Sequence, residues 1–278
     1  NGSSLIKYPP MIKDNNYTIP DNVITISKYA FYQCQYLESI IIPDGVTNIG
    51  EKSFYDCNSL KSIIIPDSVN QIGTHAFSDC DSMTVIEVSE NNPNFASFNK
   101  ILYNKEFTMI IGIPRGIVGN ITLHDNLETI EKGAFYDCRS LTSIFIPEKV
   151  NKIPDRTFRG CYNLTSIHIP SNTISFGEYA FDCCISLESI SIPSSVSDIG
   201  KEAFSTCKSL ATIEINNDYC VTNFHEIFEN SYRTKSVILG NGVTYINNAS
   251  FSKYNIKSII IPSSVKEIRD DAFLDCSD

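Results

Sequence analysis

Apolar and polar positions along this chain follow a pattern that returns every 23 residues. One copy reads Leu60-Lys-Ser-Ile63-Ile-Ile65-Pro66-Asp-Ser-Val69-Asn-Gln-Ile72-Gly73-Thr-His-Ala76-Phe77-Ser-Asp-Cys80. Its Leu-x-x-Ile-x-Ile segment has the period of two expected of a strand. In the preceding copy this sends Ile40 and Ile42 one way and Ser39 and Ile41 the other. Pro43 ends the strand, and Asp44-Gly45 supplies turn chemistry. Val46 and Ile49 return two more apolar side chains inward, and Gly50 is expected at a turn with positive φ. The closing Ala-Phe-x-x-Cys-x-x-Leu predicts one or two turns of α or 3-10 helix, too short to persist without neighbours.

Phe31, Phe54 and Phe77 keep the 23-residue spacing, as do Phe135, Phe158, Phe181 and Phe204, each followed three positions later by a cysteine. The cysteine ladder gives way to Ser231 and Tyr254 and returns at Cys276. A fixed period between 20 and 29 residues predicts a leucine-rich-repeat solenoid, in which stacked units bury an apolar face that none could bury alone. Counted by the last strand residue, the rows end at Ile19, Ile42, Ile65, Val88, Leu123, Ile146, Ile169, Ile192, Ile215, Leu239 and Ile261, eleven in all. The expected fold is a single right-handed solenoid over 1–278, with a parallel β-sheet on one face and short α or 3-10 turns on the other. The period fails from Ser89 to Asn120. Two apolar segments there, Lys100–Tyr103 and Thr108–Pro114, are joined through Asn104-Lys-Glu and predict an inserted β-hairpin arm over 89–120. A second break after Asn216 inserts one residue and places Cys220 off the ladder.

The recurring Ile-Pro-x-x-Val-x-x-Ile-Gly-x-x-Ala-Phe-x-x-Cys-x-x-Leu-x-x-Ile resembles the BspA-like (Treponema-type) leucine-rich-repeat family over about residues 17–276. The arm, with Asn-Pro-Asn-Phe and Ile-Leu-Tyr, resembles an insertion common in that family. The resemblance implies a cell-surface or secreted protein of a mucosa-associated bacterium or protozoan. It also implies, for some members, adhesion to host matrix or plasma proteins such as fibronectin and fibrinogen.

Composition narrows the partners. The net charge is −10, and charged residues make up only 19% of the chain. Nucleic acid calls for a basic stripe that displaces counterions, and this balance argues against it and against an anionic membrane surface. No stretch approaches the roughly 20 apolar residues of a membrane span. The chain opens on Asn1 rather than Met and stops at Asp278 part-way through a unit, so both ends are expected to be truncated.

Ten residues are cysteine, eight of them on the ladder. These are expected to be buried, weakly hydrogen-bonding thiols rather than disulfides, because stacked parallel Cβ vectors do not suit the disulfide torsion. Cys183 and Cys220 are the two expected to be exposed or reactive. No Cys-x-x-Cys pair occurs, and His75, His124, His168 and His225 fall in different rows without ligand spacing. Phosphate-loop and nucleophile-elbow motifs are absent, and the carboxylates are scattered. The reading is a non-enzymatic protein with no cofactor and no metal.

The outward strand positions carry the candidate binding surface. One ladder runs Thr18, Ile41, Ile64, Glu87, Thr122, Phe145, His168, Ser191, Glu214, Ile238 and Ile260. Its outward neighbours are mostly Ser or Thr. The candidate partner-binding residues are Ile41, Ile64, Glu87, Phe145, His168, Glu214, Ile238 and Ile260, with Tyr103 and Phe107 of the arm as a second patch; the arm's apolar residues suit packing back on the solenoid equally well. The function expected is binding of a protein ligand. The alternative is a spacer ectodomain that presents other domains.

Overall fold

The structure is a computed structural model that describes residues 2–228 and 236–276. The Ser231 ladder position lies outside the described residues. The chain divides into two compact units, Asn1–Val118 and Gly119–Asp278.

In the first unit the strand of each row forms as its alternation predicts. Asn16–Thr18 pairs in parallel with Ser39–Ile41, and Ser62–Ile65 with Val85–Val88. Ile40, Ile63 and Ile86 point into the core, while Ile41, Ile64 and Glu87 face water. In the second unit Gly119–Thr122, Leu141–Phe145 and Ser166–His168 form one parallel sheet. Ser189–Ile192, Thr212–Ile215, Ser236–Leu239 and Ser258–Ile260 form another.

A second set of strands was not expected. After the proline turn, two residues of each row pair with the next row. Ser4–Leu5, Thr25–Ile26, Asn48–Ile49 and Gln71–Ile72 make a parallel sheet of four in the first unit. Lys152–Ile153, Ser175–Phe176 and Asp198–Ile199 make one of three in the second. The glycine that follows is not needed for positive φ. A Cβ on Gly50 would stand 2.5 Å from the backbone nitrogen of Lys28, and Gly73, Gly177 and Gly200 meet the preceding row's backbone in the same way. The row-to-row approach excludes a side chain there.

The segment read as helix is a chain of linked turns. Its residues alternate between two jobs. Ala30, Tyr32 and Cys34 donate their N–H to carbonyls three residues back, whereas Tyr29, Phe31 and Gln33 donate to Glu51, Ser53 and Tyr55 of the next row. The alternation requires two left-handed residues per row, such as Lys52 and Asp56 at φ 50° and 60°, and His75 and Asp79 at 57° and 59°. Non-glycine residues adopt this region at a cost of about 1–2 kcal/mol each, offset by the inter-row hydrogen bonds. Helix among the described residues is confined to Asp218–Thr222 and Phe224–Ile227, at the second break in the repeat.

The ladder phenylalanines stack beneath these turns. Phe31, Phe54 and Phe77 lie 4.9 and 5.7 Å apart with nearly parallel planes, and Tyr8 extends the column at 5.3 Å from Phe31. Phe135, Phe158, Phe181, Phe204 and Phe228 continue the theme in the second unit at 4.8–5.4 Å. Between residues 95 and 112 the chain forms a three-stranded antiparallel meander, Phe95–Phe98, Ile101–Asn104 and Ile110–Gly112. Phe95 and Leu102 join the apolar core of the first unit.

Candidate functional site: the outward strand ladder

Period-two alternation places every second strand side chain on the outside, and parallel pairing brings equivalent positions into register. In the first unit Thr18 is opposite Ile41, and Ile64 is opposite Glu87. Ile41 and Ile64 are 61% and 59% exposed. In the second unit Thr122, Phe145 and His168 lie in register, as do Ser191, Glu214, Ile238 and Ile260. The Phe145 and His168 rings stack face to face, 4.3 Å apart and 3° from parallel. Nε2 of His168 is 3.5 Å from Oε1 of Glu148. Glu148 is itself held by the Ser171 N–H and hydroxyl, at 3.2 and 3.1 Å. Ile260 is exposed, whereas Glu214 and Ile238 are half-buried.

The outward positions beside this ladder carry hydroxyls that bond along it. Ser39 donates to Asn16 Oδ1 at 2.5 Å, Ser143 to Asn120 Oδ1 at 2.8 Å, and Ser258 to Ser236 at 3.2 Å. They set hydroxyls beside the apolar side chains. Ion pairs 23 residues apart, Lys28–Glu51, Lys61–Glu38 and Lys132–Asp155, link neighbouring rows elsewhere on the surface. Exposed pairs of this kind contribute little each.

Of the two arrangements open to the arm aromatics, Tyr103 takes the inward one. Tyr103 is fully buried. It belongs to Ile101–Asn104, the central strand of the meander, whose Ile101 and Leu102 are buried with it. Phe107 is half-buried and turns back on Tyr103 and Phe98, with ring centroids 5.7 and 6.5 Å away. Tyr103 is therefore a core residue rather than a contact for a partner.

The thiols take part in the row lattice. Cys57 donates to Phe31 O at 2.9 Å, Cys80 to Phe54 O at 3.0 Å, Cys161 to Phe135 O and Cys184 to Phe158 O at 3.2 Å, and Cys207 to Phe181 O at 3.3 Å. Where Tyr254 replaces the ladder cysteine, its hydroxyl donates to Phe228 O at 3.1 Å, the same carbonyl one row back. Cys220 is not an exposed thiol. It is fully buried in Asp218–Thr222, and burial pushes its thiol up to about 12. Cys183 is half-buried; burial and then the Asp182 carboxylate raise it as well. Raised pKa values shrink the thiolate fraction at pH 8. A maleimide at that pH is expected to modify Cys183 and Cys276 slowly and Cys220 only after unfolding, as peptide mass mapping with and without denaturant will show. Labelling of Cys220 in the native protein at the rate of a free thiol contradicts this placement.

Among the described residues no group of three His, Cys, Asp or Glu side chains is placed to hold a metal ion, and no helix is long and apolar enough to cross a membrane.

The sequence matches the BspA type leucine rich repeat region in six copies, over residues 12–110, 117–221 and 151–278. No curated protein matches it. Among solved structures, the chain is similar to a leucine rich cell surface protein from Faecalibacterium prausnitzii A2-165. The two are 27% identical with a TM-score of 0.63, over 92% of this chain and 59% of that one. A leucine-rich repeat protein from Bacteroides ovatus ATCC 8483 is 26% identical with a TM-score of 0.58, over 94% and 64%. The pneumococcal vaccine antigen PcpA shares the fold at 19% identity and a TM-score of 0.67, over 93% and 63%. The chain thus spans 59–64% of the length of these three structures. With its 23-residue rows and the profile match over most of its length, the chain belongs to the BspA-type leucine-rich-repeat family.

Proposed function

We propose that this chain is a non-enzymatic protein-binding module of a cell-surface or secreted protein, and that it engages its partner through the outward strand ladder. The observation that carries the reading is the placement of large apolar side chains where the fold has no use for them. Ile41 and Ile64 occupy adjacent rows at 61% and 59% exposure, and Phe145 is 41% exposed beside His168. Apolar anchors within a polar rim are the usual makings of a protein interface. Similarity to a cell-surface protein of the same repeat type supports display outside the cell. The finer reading is adhesion to host matrix or plasma proteins of the fibronectin and fibrinogen kind, which the family resemblance suggests.

The test is surface plasmon resonance of the chain against a panel of matrix and plasma proteins, beside the triple variant Ile41→Ser, Ile64→Ser, Phe145→Ser. The expected result is saturable binding by the parent and a loss of at least about tenfold in the variant. Exposed substitutions of this kind change stability by only about 0.5 kcal/mol each, so melting should scarcely move. Absence of saturable binding to every panel member supports instead a spacer that presents other domains.

A further inference from the structure

The short-strand sheet of the first unit ends at Gln71–Ile72, and the chain's own next row does not cover that edge. In the rows below, the hydrogen bonds climb regularly. Thr47 N donates to Ile24 O and Asn70 N to Thr47 O; Gly50 N donates to Ile26 O and Gly73 N to Ile49 O. Continued by one row, the pattern needs residue 93 to donate to Asn70 O and residue 96 to donate to Ile72 O. Residue 93 is Pro93, which has no N–H. Ala96 is drawn into the meander, where it pairs with Tyr103. The N–H groups of Asn94 and Phe95 both go to Asn92 Oδ1, at 2.9 Å each.

Among the described residues, Asn70 O, Ile72 O and Ile72 N therefore receive no partner from the chain. Burial changes accordingly. Ile26 and Ile49 are 0% and 1% exposed, whereas Ile72 is only half-buried. A groove of about 520 Å³ runs along the short strands of the first unit, past Thr25, Asn48 and Gln71, and reaches Phe95. The corresponding edge in the second unit is closed from within. There the Tyr219 hydroxyl accepts from Ile199 N at 3.3 Å and donates to Ile199 O at 3.4 Å.

We propose that the open edge at Asn70–Gly73 is a strand-addition site for an extended segment of another protein. Ile72 offers one donor and one acceptor on the same side, the pair that a neighbouring strand engages. The segment it fits has no proline and alternates apolar with polar residues. Its apolar side chains continue the Ile26, Ile49, Ile72 ladder beside Phe95, and its polar ones continue Thr25, Asn48 and Gln71. This site is separate from the outward ladder of the broad sheets, and either can fail without the other.

The test uses the whole chain with a blocked peptide of alternating threonine and valine, about six residues long, followed by amide NMR and hydrogen exchange. Before peptide is added, the Ile72 amide should exchange far faster than that of Ile49. Peptide should shift the amides of Asn70 to Gly73 saturably and slow exchange at Ile72. The same peptide N-methylated at alternate amides should bind at least about tenfold more weakly; because this alteration lies in the probe, the result does not depend on a variant's folding. Several results overturn the proposal. They are an Ile72 amide already protected in the free chain, no saturable binding up to about 1 mM, equal binding of the N-methylated peptide, and shifts confined to the outward ladder. Protection of Ile72 that rises with protein concentration alone also overturns it, because a second copy then occupies the edge.

Discussion

Replacing Phe181 by alanine is expected to lower stability by about 3–5 kcal/mol, the range for removing a large buried aromatic. Phe181 has no exposed surface and is stacked between Phe158 at 5.4 Å and Phe204 at 4.8 Å, with Phe176 meeting it edge-on at 5.7 Å. Each row of a solenoid is held chiefly by its two neighbours, so the cavity weakens both interfaces at once. Its backbone also ties the rows together. Phe181 N donates to Ala203 O at 2.7 Å, and Phe181 O accepts the Cys207 thiol. Phe145→Ala is the control, since that ring stands on the surface and its loss should cost no more than about 0.5 kcal/mol. Urea denaturation followed by circular dichroism separates the two. A loss below about 1 kcal/mol for Phe181→Ala is incompatible with a tightly packed aromatic column.

Asn92→Leu is expected to have the second large effect, confined to the first unit. Asn92 is fully buried, at the position 23 residues after the core Val69. Its Nδ2 donates to Pro66 O at 2.7 Å and Val69 O at 3.0 Å, and its Oδ1 accepts from Asn94 N and Phe95 N. A leucine of similar size strands three main-chain groups, Val69 O, Asn94 N and Phe95 N, while Pro66 O keeps the Val69 N–H. A buried polar group left without a partner costs about 1–3 kcal/mol, so a total loss of about 4 kcal/mol is expected after local relaxation. Hydrogen exchange resolves where the loss falls. Amides of the Ser62–Ile65 and Val85–Val88 strands should lose protection, while those of Ser189–Ile192 and Thr212–Ile215 keep theirs. Unchanged exchange in both sets contradicts the role given to Asn92.

The strand ladder was legible in the sequence because alternation with a period of two fixes which side chains face water. Ile41, Ile64 and Phe145 could be placed outside from pattern alone. The turn side was not legible. The apolar spacing of Ala-Phe-x-x-Cys-x-x-Leu suits one turn of helix as well as it suits linked turns. The left-handed residues that decide between them, such as Lys52, Asp56 and His75, carry no glycine to betray them. Gly50 misled in the opposite sense, since close approach of the next row, and not its own φ, requires it. The place of Tyr103, on a partner-facing patch or packed back on the solenoid, stays open in the sequence because a short aromatic strand in an insertion looks alike whether it is the edge or the centre of a meander. Asn92 and Pro93 did carry a signal, a polar residue at a core position followed by a residue without an N–H. That signal becomes readable only when the rows are aligned hydrogen bond by hydrogen bond.

The central claim is that the outward strand ladder is the binding face. The most direct measurement is the ratio of dissociation constants, parent to Ile41→Ser/Ile64→Ser/Phe145→Ser variant, for whichever matrix or plasma protein the chain captures. The account predicts a loss of at least about tenfold in a variant that melts with the parent. Equal affinity in a folded variant contradicts it and moves the binding face elsewhere on the molecule.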